Sequence, residues 1–73
     1  MAQEIVECPI PGKITSVNVK VGDEVKEGDV LCTLESMKME NPVLAPVAGK
    51  VSEINVSAGE TVDAGSLLVI IDF

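Results

Sequence analysis

The chain is 73 residues long, enough for one domain, and carries a net charge of −7 with five lysines as its entire cationic complement. That balance excludes a nucleic-acid binder, which needs cationic surface for phosphates, and no apolar run reaches the roughly 18 residues of a membrane helix. The apolar residues are mostly Val, Ile and Leu, with Phe73 the one aromatic, and Met1-Ala2-Gln3-Glu4 lacks the basic and apolar stretches of a signal peptide, so the expectation is a cytoplasmic, strand-rich protein.

A first strand is expected over 5–10, with Cys8 inside it and a Pro-rich turn after it. A second is expected over 13–21, where Val17, Val19 and Val21 alternate with Asn18 and Lys20. Ile14 is out of phase with that set, so a bulge or bend between them is predicted. Residues 21–29 then form a turn, one buried anchor at Val25, and a second turn, with glycines where the backbone needs positive φ. The apolar strand 30–36 follows, with Cys32 as a small core residue. Neither Cys8 nor Cys32 has the further His or Cys ligands that a zinc site needs, and an intracellular setting favours free thiols.

From here the chain repeats. A shift of 37 residues places Pro9 on Pro46, Gly12 on Gly49, Lys13 on Lys50, Asn18-Val19 on Asn55-Val56, Gly22 on Gly59, Val25 on Val62, Gly28 on Gly65 and Leu31 on Leu68, with no gap. The expected organisation is a single domain over 1–73, with halves at about 5–36 and 42–73 joined by a hairpin at 36–39. About four strands per half give an all-β fold: a flattened barrel or sandwich of two four-stranded antiparallel sheets with a quasi-two-fold axis through one core.

One connection departs from this pattern. Strand 30–34 runs into Glu35-Ser36-Met37-Lys38-Met39-Glu40-Asn41, and another strand starts near Pro42. A tight hairpin there should carry Asn-Gly, Asp-Gly or a glycine pair, yet its tip is Met37-Lys38. A turn rule broken once, in a chain that keeps it elsewhere, points to a functional constraint. Lys13, Lys20, Lys26 and Lys50 read as solvated surface charges, Lys13 and Lys50 being turn residues beside a glycine. The acids Asp23, Glu27, Asp29, Glu60 and Asp63 read as solvated or turn-capping groups. Lys38 lacks the burial or cationic neighbour that a nucleophilic or basic lysine needs, since Glu35 and Glu40 lie close by. A displayed, chemically unassisted lysine suits modification by another enzyme, and two flanking methionines make an adaptable apolar patch for transient contact.

The run Glu35-Ser36-Met37-Lys38-Met39-Glu40, with Pro46-Val47-Ala48-Gly49 after it and the paired glycine turns around it, resembles the attachment region of biotinyl domains, the biotin carboxyl carrier family, and the resemblance covers about residues 5–72. It implies that Lys38 is joined to biotin by a biotin protein ligase using ATP. Met37 and Met39 would set recognition, with Glu35 and Ser36 as supporting motif residues. It further implies a non-catalytic carrier that shuttles a carboxyl group between biotin carboxylase and carboxyltransferase or decarboxylase sites. Related lipoyl carriers typically place Asp-Lys-Ala at this tip, so Met37 and Met39 favour biotin. The gap-free repeat leaves no room for the extra loop of some acetyl-CoA carboxylase carriers. That resembles more closely the carriers of decarboxylases, transcarboxylases and multifunctional carboxylases. The alternative readings are a lipoyl carrier and an unmodified β module of an adaptor protein.

Overall fold

Short alternating runs of β-branched residues, punctuated by glycine turns, can bury themselves only as paired sheets. The computed structural model describes residues 2–73 and contains eight strands. They are β1 (Gln3–Glu7), β2 (Gly12–Val17), β3 (Glu24–Val25), β4 (Val30–Ser36), β5 (Met39–Leu44), β6 (Gly49–Ile54), β7 (Thr61–Val62) and β8 (Leu67–Asp72). Every ladder is antiparallel. The two four-stranded sheets run β1-β8-β6-β3 and β5-β4-β2-β7, so the two-sheet, all-β architecture expected from the sequence is the one observed.

The sheet orders carry the 37-residue repeat into three dimensions. Exchanging β1 with β5, β2 with β6, β3 with β7 and β4 with β8 converts one sheet into the other. Each sheet therefore takes two strands from each half of the chain. The core obeys the same symmetry. Its largest fully buried side chains pair as Ile14 with Val51, Leu31 with Leu68, Cys32 with Val69 and Leu34 with Ile71. Around them Val6 matches Val43, Cys8 matches Ala45 and Val25 matches Val62. The molecule is long and narrow, 36 × 18 × 17 Å.

The turns are also duplicated. In 20–23, 26–29, 57–60 and 63–66 the fourth residue donates its N–H to the carbonyl of the first, at 3.0–3.1 Å. The third residue of each is a glycine with φ between 87° and 98°, as type II turns require. Three of the predicted turn acids close these loops. Asp23 accepts from the Lys20 N–H at 2.9 Å, Asp29 from the Lys26 N–H at 2.8 Å, and Glu60 from the Ser57 N–H at 3.1 Å. At the fourth turn Ser66 does this work, accepting from the Asp63 N–H. The turns then tie the halves together: Gly22 N–H donates to the Val51 carbonyl and Gly59 N–H to the Ile14 carbonyl.

The predicted irregularity after Ile14 is present, as a register shift between Ile14 and Ser16 in the β2–β4 ladder and its copy between Val51 and Glu53 in β6–β8. Strand boundaries differ from expectation. The first strand ends at Glu7, ahead of buried Cys8, whose N–H is taken by Ser66 and whose thiol donates to the Ile10 carbonyl at 2.7 Å. The second ends at Val17 rather than 21. Val19 still packs against the core, but Val21 is 64% exposed; alternation here marks an extended loop entering a turn. Lys13 and Lys50 lie within β2 and β6 and are not turn residues. Gly12 and Gly49 beside them are strand residues, needed because a Cβ would run into the carbonyl oxygens of Glu35 and Asp72 respectively. The strand expected near Pro42 begins at Met39, and Pro42 lies inside it opposite Thr33. β5 is an edge strand, where a missing N–H is tolerated.

Candidate functional site

The β4–β5 ladder closes with Ser36 opposite Met39, leaving Met37 and Lys38 as a two-residue loop. Both have positive φ, 54° and 65°, the pattern of a type I′ turn, whose twist matches that of the strands it joins. Among the described residues, these two are the only non-glycine residues with positive φ. Left-handed backbone costs an L-residue roughly 1–2 kcal/mol, so the tip is strained where a glycine would not be. The strand geometry explains how it is held there: six β4–β5 residue pairs from Val30–Leu44 to Ser36–Met39 drive the two strands into this connection.

The turn has no copy. The other tight turns fall into mates under the 37-residue shift, but the mate of 36–39 is the place where Ala2 and Phe73 exchange backbone hydrogen bonds at 2.8 and 2.9 Å. That place is at the far end of the molecule. Asp29, which precedes β4, lines a groove with Asp72 and Phe73, whereas the other end of β4 carries the Lys38 turn. The groove itself, about 670 Å³ and also lined by Glu24, Lys26 and Lys50, is thus remote from Lys38 and takes no part in the site.

The structure brings the predicted site residues together on one hairpin. Lys38 is exposed, Met37 is 92% exposed and Met39 is 67% exposed. Ser36 is half-buried at the base of the turn, and Glu35 is exposed one residue below it. Glu35 stands opposite Glu40 on β5 and opposite Lys13 on β2. Like charges directly across a ladder are destabilising, so the tip carries a local acidic face that Lys13 offsets on one side. The tip inferred at Met37-Lys38 already set Glu35 and Glu40 close to Lys38, and the ladder makes them a direct pair. The pairing of Lys13 with Glu35 was not legible, because it depends on the register between β2 and β4.

All five lysines are exposed, so exposure does not single out Lys38. Its backbone does: Lys13 and Lys50 are in sheet ladders, and Lys20 and Lys26 open capped turns. An amide-linked cofactor needs a primary amine that a second protein can approach from outside. Lys38 meets that requirement, on a loop projecting past the last paired residues and bordered by two thioethers.

The chain is similar to several known proteins. The model of the biotin/lipoyl family, described as biotin-requiring enzyme, matches residues 4–71. The glutaconyl-CoA decarboxylase subunit gamma of Acidaminococcus fermentans is 62% identical over 39 residues, which are 53% of this chain and 27% of that protein. The propionyl-CoA carboxylase alpha chain of Ruegeria pomeroyi is 65% identical over 34 residues, 47% of this chain and 5% of that one. The structure of the Kluyveromyces lactis urea carboxylase superposes with a TM-score of 0.91 at 33% identity, over 99% of this chain and 6% of that one. The chain thus matches a small part of each of these longer proteins.

Proposed function

The chain belongs to the biotin/lipoyl family of biotin-requiring enzymes, and from that membership we propose that Lys38 is its biotin attachment point and that the domain is a carboxyl carrier without catalytic groups of its own. The observation that carries this reading is the unmatched turn, in which Met37 and Lys38 both occupy left-handed backbone. Strain at one loop of an otherwise regular repeat is retained for what the loop presents. Lys38 Nζ would hold the cofactor through an amide, which removes one positive charge and takes the net charge from −7 to −8. Bound biotin supplies a ring nitrogen that accepts and releases a carboxyl group.

The chain's own residues bind and present. The two sheets hold the β4–β5 hairpin as a rigid mount, and Lys38 extends from its tip. Met37 and Met39 offer an apolar surface to a biotin protein ligase, and Glu35 and Glu40 offer it negative charge. Tethering then raises the local concentration of the carried group at the sites of biotin carboxylase and carboxyltransferase or decarboxylase partners, by an amount set by arm length. The relatives named above support partners of this class.

Co-expression with a biotin protein ligase should add one biotinyl group to the intact mass, and Lys38→Arg should abolish the addition. An unchanged mass for the unaltered chain, or modification mapped to another lysine, would refute the assignment. Modification by a lipoate ligase in its place would make this a lipoyl carrier.

A further inference from the structure

The four sulfur-bearing side chains beyond Met1 divide sharply by exposure. Cys8 and Cys32 are 3% and 0% exposed, in the core. Met37 and Met39 are 92% and 67% exposed, on either side of Lys38. Thiols ordinarily react with oxidants through the thiolate. Burial pushes the Cys32 thiol up to about 11, with Cys8 adding to the shift, and Cys8 gives its hydrogen to the Ile10 carbonyl. The usual order of sulfur reactivity is therefore inverted by the fold: among the described residues, the sulfurs that an oxidant can reach are the two thioethers of the hairpin tip.

We propose that Met37 and Met39 form a peroxide-sensitive modification site, and that their oxidation to sulfoxides turns the hairpin polar and blocks acylation of Lys38. The second half of this proposal rests on Lys38 being the attachment point. In the reaction a sulfur lone pair attacks one oxygen of hydrogen peroxide. An S–O bond forms as the O–O bond breaks, and the second oxygen leaves as water after proton transfer. The thioether loses two electrons and the peroxide gains them. The product is a polar, chiral group in place of a flexible apolar one.

Position decides the consequence. A sulfoxide in a core would disrupt packing, but Met37 and Met39 touch little of the fold, so the oxidised domain keeps its sheets. What changes is the surface a ligase must cover on both sides of Lys38, where an apolar contact would become a desolvated dipole lacking a partner. A protein already acylated at Lys38 would be indifferent to the change as far as attachment is concerned. The device therefore acts on newly made chains, and methionine sulfoxide reductases would reverse it.

The test treats the unmodified protein with hydrogen peroxide under native conditions, maps the added oxygen by peptide mass spectrometry, and measures biotinylation by a purified ligase before and after. The expected result is oxygen on Met37 and Met39, Cys8 and Cys32 remaining as thiols, and a rate slowed by roughly tenfold or more. Treatment with the two stereospecific methionine sulfoxide reductases should restore it. The variant Met37→Leu/Met39→Leu, whatever its starting rate, should be acylated equally before and after peroxide. Oxidation of Cys8 or Cys32 with both tip thioethers intact would overturn the proposal, as would an unchanged rate for the doubly oxidised protein. Failure of the untreated protein to be biotinylated would instead count against the attachment site and the block that depends on it, while the peptide map would still decide which sulfurs the oxidant reaches.

Discussion

Met37 and Lys38 hold φ angles of 54° and 65° at a turn that asparagine and glycine fill more comfortably. Asparagine tolerates left-handed backbone because its short amide can bond locally. Met37→Asn should therefore raise the unfolding free energy by about 0.5–1 kcal/mol, seen as a higher urea midpoint at unchanged slope. The same change should slow biotinylation, because one apolar flank of Lys38 is lost. A variant no more stable than the parent would show that the turn stores no strain. Opposite signs for stability and modification would mark the tip as a residue-level compromise. It is also why the turn stood out in the sequence: a Met-Lys pair stands at a tight turn in a chain that puts glycine in its other four.

At the scale of strands, the paired glycines Gly12 and Gly49 offer a controlled comparison. Each lies where an added Cβ would meet the backbone of a neighbouring strand, at Glu35 on β4 and at Asp72 at the end of β8. Gly12→Ala and Gly49→Ala should each destabilise the fold by roughly 1–3 kcal/mol through overpacking. Their effects on modification should diverge. Displacing Glu35 disturbs the hairpin three residues from Lys38, whereas displacing Asp72 disturbs the opposite end. Urea denaturation and initial biotinylation rates, taken where both variants are folded, would check this; equal slowing would argue against a local effect. The reason for these glycines was not legible in the sequence, because it lies in a strand distant along the chain. Glycine next to lysine looks like a turn until the partner's carbonyl is known. Strand β4, by contrast, was legible to its ends, since an apolar run with its own turn on either side has one plausible extent. The stretch after Val17 was overread as strand because Val19 packs on the core and keeps the alternation going, while Val21 turns outward.

Over the whole molecule, the repeat extends into the core with changes of residue. Cys32 and Val69 occupy equivalent, fully buried positions. Burial raises the Cys32 thiol from 9.0 to about 11. Between those values the unfolded chain releases this proton and the native chain keeps it. The unfolded state then binds fewer protons, so stability falls as pH rises through the window and is unaffected below it. Cys32→Val installs the residue of its mate and removes this component. The difference in urea midpoint between variant and parent should shift in the variant's favour from about pH 9 to about pH 11, and a difference independent of pH would contradict the assignment. The duplicated topology was visible as a 37-residue period, but the way the halves interleave was not, because periodicity says nothing about which strand lies beside which. Interleaving is what sets Ala2 beside Phe73 at the end remote from the tip. A polypeptide could therefore enter and leave the domain through one narrow doorway, with the Lys38 turn displayed at least the length of β4, about 23 Å, away. The domain is in this sense a portable cassette: spliced into an exposed loop of an unrelated host, it should close on itself and point its lysine away from the graft.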